Sequence, residues 1–218
     1  MQSVLTPNAS RREARRHSRR ETILDVATRS FFESGYAATK MSEIAASLGG
    51  SKGTLWSYFD CKEQLFAAVL DRAIRDFQHE LLLMLNPNDQ VEDALSRFCG
   101  HFLGKLTSPE GIALHRLAVS EANRFPAMGQ IFYEIGPGRT REVLEEYLHG
   151  AMERGALRSG DPASAARLLA GMCLSGCHTL LLVGVIERVT PAMINEDVKL
   201  AVGTFMRAWA IKKPLECS

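Results

Sequence analysis

A short run of polar side chains in the first third of the chain has the chemistry to bind a polyanion. Lys52 supplies a cation, and Gly53 leaves the backbone open to close approach. Thr54 and Ser57 supply hydroxyl groups and Tyr58 supplies a phenol. Groups of these types hydrogen-bond to phosphate oxygens and to the edges of bases. The run therefore indicates nucleic-acid recognition.

Two short helices joined by a tight turn must position this run. The spacing predicts helices over residues 42–48 and 52–58, with the chain turning sharply at Gly49. Leu55 and Phe59 lie about one helical turn apart and are predicted to hold the second helix against a small core. The inward residues of the first helix are predicted to be Ile44, Ala45 and Leu48. This packing leaves the polar run on the surface.

The charges of the chain are unevenly placed although the net charge is only +1. Residues 1–75 hold 12 Lys and Arg against 8 Asp and Glu, whereas residues 76–218 hold 14 against 17. Residues 11–20 alone carry six arginines against the single Glu13. We expect residues 1–19 to form a flexible basic arm, and either a minor-groove extension or a disordered tail fits this composition.

Helical spacing dominates the rest of the chain, and no segment alternates as a strand does. A first helix is predicted over residues 19–34, ended by Gly35, and a long helix follows Asp60. The last two helices are predicted over residues 162–185 and 191–210, each with a capping residue before a proline. The predicted fold is all-α, with about nine helices in total.

Composition excludes several functional classes. The five cysteines are scattered over 218 residues without a C-x-x-C pair, which favours a reducing, cytoplasmic setting and no disulfide framework. Cys173, Cys177 and His178 lie close in sequence, but adjacent helical residues point apart and no fourth ligand is evident, so no metal site is predicted. Hydrolase, zinc-protease, P-loop and Rossmann motifs are missing, and we therefore predict neither an enzyme nor a cofactor.

One apolar stretch approaches the length of a membrane span. Residues 168–186 contain 19 uncharged residues. Small and polar side chains interrupt the stretch, and a helix buried between other helices has the same composition. We predict a buried helix without membrane association, with a membrane-anchored regulator as the alternative.

The segment from about Arg20 to Leu70 resembles the DNA-binding domain of the TetR family of bacterial repressors. Gly50 and Trp56 are departures, since the family usually has Val and Tyr at these positions. The matching residues are Ile23, Leu24, Ala27, Phe31, Gly35, Tyr36, Thr39, Ile44, Ala45, Gly49, Ser51, Lys52, Gly53, Thr54, Leu55, Tyr58, Phe59, Lys62, Glu63 and Leu65.

The resemblance implies a three-helix helix-turn-helix domain over residues 20–66 that binds double-stranded DNA. It implies base-reading roles for Lys52, Gly53 and Thr54. Positioning contacts to the DNA backbone are expected from a larger set, with packing or a solvated charge as the alternative for some members. This set comprises Thr39, Lys40, Ser42, Ser51, Trp56, Ser57, Tyr58 and Lys62.

A second resemblance, over residues 114–172, is to the C-terminal domain of the AefR-like branch of TetR regulators. It is carried by the runs HRLAVSEANRFPAMGQIFYEIGPGRT from His115 and RGALRSGDP from Arg154. It implies that residues 67–218 form a larger helical domain for dimerisation and effector binding.

The protein is accordingly expected to be a cytoplasmic bacterial repressor that binds a pseudo-palindromic operator as a homodimer. We expect a small apolar or amphipathic effector to release it from the DNA, and the alternative is a DNA-binding dimer that is constitutive or controlled by a protein partner.

The apolar last two helices favour a dimer, because a monomer would expose a large apolar patch. Small residues that recur every four positions would allow two helices to approach closely. The predicted dimer interface consists of Gly171, Ser175, Thr179, Val183, Phe205 and Trp209. The candidate effector-binding residues, for which ordinary core packing is the alternative, are Phe98, His101, Phe102, His115, Arg116, Leu117, Phe132, Met172 and Leu174.

Overall fold

The computed structural model describes residues 7–49 and 53–211, and the described part of the chain is helical and without strands. The all-α prediction is confirmed. The helices are α1 (Pro7–Ala38), α2 (Met41–Ser47), α3 (Gly53–Trp56), α4 (Lys62–Met84), α5 (Val91–Leu106), α6 (Pro109–Glu121), α7 (Pro126–Tyr133), α8 (Arg139–Glu153), α9 (Pro162–Leu174), α10 (Cys177–Leu182) and α11 (Pro191–Trp209), with a π-helical turn at Glu134–Gly138.

The chain forms two compact units. The first comprises the described residues of Met1–Arg72 together with Leu117–Phe132. The second comprises Ala73–Arg116 and the described residues from Tyr133 onward. The inclusion of Leu117–Phe132 in the first unit is an arrangement that the sequence analysis did not predict.

Aromatic and aliphatic side chains from α1, α3 and α4 form the core of the first unit. Phe31 meets Phe66 edge to face, with their ring centroids 5.3 Å apart, and Tyr36 meets Phe66 in the same way at 5.2 Å. Such offset aromatic pairs add to the stabilisation gained from burying the rings. The fully buried aliphatic residues of this unit include Ile23, Leu24, Leu55, Leu65 and Leu70.

Helix α1 begins earlier than predicted. The sequence placed its start near Arg19, but the helix runs from Pro7. Proline is favoured at a first helical position, and arginine, glutamate and alanine are good helix formers, so the segment can continue the helix without an apolar face. The basic segment at residues 7–19 is therefore helical, and the remainder of the predicted arm, residues 1–6, lies outside the described residues.

Gly35 interrupts α1 at the predicted place. Its φ of 79° and ψ of 166° belong to a region of backbone conformation that is essentially restricted to glycine. The side chain of Thr39 holds the chain after this break. Its hydroxyl donates to the carbonyl oxygen of Gly35 at 2.7 Å, with the carbonyl oxygen of Ser30 3.0 Å away. The end of α1 is thus fixed by a glycine and a buried hydroxyl.

Four long helices enclose the core of the second unit. Helix α11 packs against α5 and α9, and α8 packs against α9. Phe98 stacks on Phe102 with their ring centroids 6.0 Å apart, and both rings are buried. The predicted caps are present, since Asp161 accepts hydrogen bonds from the backbone at the start of α9 and Thr190 accepts one at the start of α11.

The predicted helix over residues 162–185 is two helices, α9 and α10. The chain breaks at Gly176, whose φ of −98° and ψ of −120° are not helical. A carboxylate oxygen of Asp197 accepts a hydrogen bond from the backbone N–H of Cys177 at 2.7 Å and caps α10. A Cβ at position 176 would lie 2.2 Å from the other Asp197 carboxylate oxygen. Across the described ranges, none of the helices has the length and apolar character needed to cross a membrane.

Candidate nucleic-acid interface

A helix-turn-helix element forms where the sequence predicted it. Helix α2 ends at Ser47 and the chain turns at Gly49, which has a φ of 62°. Helix α3 is shorter than predicted and ends at Trp56, after which backbone hydrogen bonds from Tyr58 and Phe59 to Leu55 close a turn. The candidate contacts Ser51 and Lys52 lie outside the described residues.

Two buried side chains fix the second helix and leave its polar residues outside. Leu55 is completely buried and Phe59 is 5% exposed, as predicted. Gly53, Trp56 and Ser57 are exposed. The outward residues share one surface because the inward residues on the same short segment are anchored in the core.

The arginines of α1 lie against this same segment. The guanidinium group of Arg16 lies 5.8 Å from the centroid of the Tyr58 ring. The guanidinium group of Arg20 lies 5.7 Å from the centroid of the Phe59 ring. Arg19 donates a hydrogen bond of 3.2 Å to the carbonyl oxygen of Leu48 at the end of α2. Cation–π and hydrogen-bond contacts thus place positive charge beside the exposed polar run.

Two predicted contact residues make structural contacts within the first unit. Thr39 is only 3% exposed, so the expectation that its hydroxyl faces a ligand is corrected by its bonds to the end of α1. Lys62 donates to the carbonyl oxygens of Tyr36 at 2.8 Å and Thr39 at 3.2 Å. Its ammonium group also lies 4.3 Å from the centroid of the Tyr36 ring. Burial lowers the pKa of Lys62, while the nearby carboxylates of Glu63 and Glu121 act in the opposite direction.

Lys40, Ser42 and Ser57 are at the surface, and Thr54 and Tyr58 are half-buried. Lys40 is exposed and forms a 3.0 Å ion pair with Glu43 one turn away. Ser42 is exposed in the first turn of α2. The Ser57 hydroxyl donates to the carbonyl oxygen of Thr54 at 2.7 Å, which leaves its lone pairs available as acceptors.

The sequence analysis missed two residues that brace this unit. A carboxylate oxygen of Glu121 accepts a hydrogen bond of 3.1 Å from the backbone N–H of Ala37. The ring of Phe125 meets Tyr36 edge to face, with the centroids 5.1 Å apart. Glu121 is 84 positions away from Ala37 in the chain, so no local pattern could have revealed this contact. Both residues come from the segment that joins the first unit from outside the N-terminal 72 residues.

Comparison with known protein families identifies both parts of the chain. A family model described as "Bacterial regulatory proteins, tetR family" matches residues 23–69. A second, described as "AefR-like transcriptional repressor, C-terminal domain", matches residues 93–211, which is more than half of the chain. The chain belongs to the TetR family. The matching models and the relatives described below are regulators of transcription, and none of them is an enzyme.

Individual relatives agree with this assignment. The HTH-type transcriptional repressor ComR of Escherichia coli strain K12 is 36% identical over 93 residues, covering 42% of this chain and 44% of ComR. The chain therefore matches less than half the length of this relative. A TetR-family regulator from Mesorhizobium loti has a TM-score of 0.78 at 26% identity, covering 89% of this chain and 98% of that one. The flavonoid-responsive regulator FrrA has the same TM-score and identity, covering 90% of this chain and all of FrrA.

The effector-binding residues predicted for this TetR-family chain are divided between the two units. Leu117 and Phe132 belong to the first unit, whereas the other candidates belong to the second. Phe98 and Phe102 lie in the core, and Met172 and Leu174 pack against it. A cleft of about 530 Å³ in the second unit is lined by a different set, which comprises Tyr133, Gly138, Arg141, Glu142, Glu145, Ala163, Ser164 and Arg167.

The polar effector candidates hold other parts of the second unit. His101 lies 2.7 Å from a carboxylate oxygen of Glu80 and stacks on Phe77. Arg116 donates to the carbonyl oxygen of Leu182 at 3.1 Å and to that of Leu181, which satisfies the end of α10.

The buried His178 forms a pair with the half-buried His115. The Nδ1 atom of His115 lies 3.3 Å from the Nε2 atom of His178. Burial, assisted by the charge of His115, lowers the pKa of His178 to about 4. Burial also lowers the pKa of His115. Both imidazoles are therefore neutral near pH 7.

The predicted dimer residues divide into two groups. Gly171, Ser175, Thr179 and Val183 are exposed on α9 and α10 and the turn beside them. Phe205 is completely buried within the chain, so its assignment to an interface is wrong. The side of α11 that carries Phe205 packs into the core, and residues on the other sides of this helix are exposed. Trp209 is half-buried and stacks on the Phe205 ring at 4.8 Å between centroids.

Proposed function

We propose that this TetR-family regulator is a homodimeric repressor that binds a pseudo-palindromic operator through α2 and α3. The observation that carries the proposal is the anchored helix-turn-helix, in which Leu55 and Phe59 are buried while Gly53, Trp56 and Ser57 are exposed. Thr54 and Tyr58 are half-buried on the same segment. Lys52, Gly53 and Thr54 read base edges, and Lys40, Ser42, Ser51, Trp56, Ser57 and Tyr58 contact the DNA backbone. Thr39 and Lys62 position this surface from behind.

The exposed face of α9 and α10 supports dimerisation. The hydroxyl of Ser175 donates to the carbonyl oxygen of Met172 at 2.7 Å, and that of Thr179 donates to Leu174 at 2.6 Å. Because these hydroxyls already have acceptors, burying them against a second copy carries little desolvation cost. Val183, which follows α10, is 66% exposed. A dimer would bury this surface and present two reading helices to one operator.

We further propose that a small apolar or amphipathic effector releases the dimer from DNA. Similar structures support this part, since one is the complex of SmeT with triclosan, with a TM-score of 0.67 at 25% identity and covering 89% of this chain and 93% of SmeT. FrrA is named as flavonoid-responsive. An effector that weakens operator binding a hundredfold must favour the released form by about 2.7 kcal/mol.

The test of DNA binding is selection of duplexes from a random pool, followed by titration of the selected duplex. Lys52→Ala and Thr54→Ala are expected to abolish preference for the selected duplex, whereas Arg188→Ala, an exposed arginine of the second unit, should leave it unchanged. If no duplex is enriched, or if both variants retain full preference, the base-reading assignment is wrong.

Thermal stabilisation by a compound panel that includes triclosan and a flavonoid separates the two modes of control. A compound that raises the melting temperature and also releases the selected duplex supports an effector-controlled repressor. A panel without such a compound favours the alternative, a DNA-binding dimer that is constitutive or controlled by a protein partner.

A further inference from the structure

The arginines of the N-terminal segment lie on one side of α1. Successive residues of a helix are rotated by about 100°, so the six arginines between positions 11 and 20 fall within about 180° of the helix circumference. The opposite side of this segment carries Glu13, Ala14, His17 and Ser18. A random distribution of arginines would serve solubility, but a one-sided distribution produces a continuous cationic face. This arginine face is composed of Arg11, Arg12, Arg15, Arg16, Arg19 and Arg20.

The C-terminal part of the arginine face, from Arg16 to Arg20, contacts the residues that flank α3. Arg16 and Arg20 lie over the rings of Tyr58 and Phe59, and Arg19 donates to the end of α2. The face is therefore directed to the same side of the unit as the exposed polar residues after α3. The helix is continuous from Pro7. The contacts of Arg16, Arg19 and Arg20 therefore also fix the direction of the outer arginines, which are Arg11, Arg12 and Arg15.

Among the described residues, the outer arginines have no partner that would account for them. Arg11, Arg12 and Arg15 are exposed, and within the described ranges no hydrogen bond or ion pair engages their guanidinium groups. Like charges one turn apart destabilise a helix by about 0.2–0.5 kcal/mol for each pair. Four such pairs follow from the spacing, for example Arg11 with Arg15 and Arg12 with Arg16. A polyanion on this face would relieve the repulsion.

The helical form of the segment selects the part of DNA that it can contact. A helix with its side chains is about 10–12 Å across, whereas the minor groove is about 6 Å wide. The segment therefore cannot enter the minor groove as an extended arm would. From Arg11 to Arg19 the helix rises about 12 Å, a length that allows long guanidinium side chains to reach successive phosphates along one strand.

We propose that the arginine face of α1 binds the DNA phosphate backbone beside the bases read by α3. This inference rests on the proposed function and adds a second, sequence-independent contact surface to the same head. Each arginine that neutralises a phosphate releases counterions and contributes about 0.9 to the slope of log affinity against log salt concentration.

The test compares the full chain with the triple variant Arg11→Gln, Arg12→Gln and Arg15→Gln. The matched control removes three exposed arginines from the second unit, by Arg154→Gln, Arg167→Gln and Arg188→Gln, so that both variants have the same net charge. Each protein is titrated with the selected duplex and with a random duplex between about 50 and 200 mM salt. Circular dichroism checks that the helix content of both variants is retained.

The N-terminal triple variant is expected to lower the salt slope on both duplexes by up to about 2.7 for each bound protomer, or about 5.4 for a dimer, and to weaken both affinities by about tenfold or more. The ratio of the two affinities should not change, since phosphate contacts carry no base information. A slope equal to that of the wild type, or an equal change in the control variant, would overturn the proposal. A fall in the affinity ratio at constant slope would also overturn it, because the arginines would then read bases.

The random duplex keeps this test separate from that of the proposed function. If no duplex is preferred by the wild type, the operator-binding proposal fails. The salt slope on the random duplex still decides whether the arginine face binds phosphates.

Discussion

Acidification below neutral pH should destabilise the second unit through the buried His178. Only 2% of this residue is exposed, and its pKa is lowered to about 4 from an ordinary value of 6.5. Between these two values the unfolded chain binds a proton at this position and the folded chain does not. Stability is therefore complete above about pH 6.5 and is lost as the pH falls towards 4. The lowered pKa of His115 acts in the same direction.

The size of the effect follows from the two pKa values. Each unit of difference between the folded and unfolded pKa corresponds to about 1.36 kcal/mol, provided that the pH lies well below the lower of the two values. Between about pH 7.5 and pH 5, linkage gives a loss of about 2 kcal/mol from His178 alone. A change of this size shifts the melting temperature by several degrees in a chain of this length.

The assay is urea unfolding at both pH values in a Trp56→Phe background, so that fluorescence reports Trp209, which stacks on Phe205 in the same unit. His178→Phe replaces the imidazole with a ring that does not titrate. It should lose about 1–2 kcal/mol less stability on acidification than the wild type. The control is His149→Gln, which removes an exposed histidine. Equal losses in the wild type and His178→Phe would refute the reasoning.

Three further substitutions test contacts that set the geometry of each unit. Gly35→Ala should destabilise the first unit by about 1–3 kcal/mol, because φ is 79° there, and thermal melting measures the loss. Thr39→Val should cost about 1–2 kcal/mol by removing the hydroxyl that holds the end of α1, whereas Thr39→Ser should retain most of the stability. Asp197→Ala should cost about 1–3 kcal/mol and increase hydrogen exchange at the Cys177 amide, which loses its acceptor.

Each of these three predictions can fail in a specific way. An unchanged melting temperature for Gly35→Ala would mean that the break in α1 relaxes without strain. Equal melting temperatures for the valine and serine variants of position 39 would contradict the role of the hydroxyl. Unchanged amide exchange in Asp197→Ala would show that the carboxylate is not the cap of α10.

Much of the local structure could be predicted from the sequence. Gly35 and Gly49 mark breaks that only a residue without a side chain makes easily, and both have positive φ. Asp161 and Thr190 precede prolines and cap α9 and α11 as expected. The start of α1 was misplaced because the basic segment lacks an apolar face, which is the signal on which the prediction depended.

Contacts between distant positions could not be predicted in this way. Gly176 breaks a predicted helix because Asp197, on α11, caps the next one and leaves no room for a Cβ. Phe205 was assigned to a surface because amphipathic spacing identifies an apolar face without identifying what covers it. The same limit applies to Lys62, because its charge does not reveal the two backbone carbonyl oxygens to which it donates.

The sequence by itself determined the helical class, the position of the helix-turn-helix and the family, since these depend on spacings within a few turns of chain. Only the tertiary structure decided which side chains are buried, paired or available. Glu121 reaches Ala37 across 84 positions, and His115 reaches His178 across 63. A buried polar group needs a hydrogen-bond partner, and many residues of the chain have the right chemistry. Which of them becomes the partner depends on the positions that the folded chain gives them.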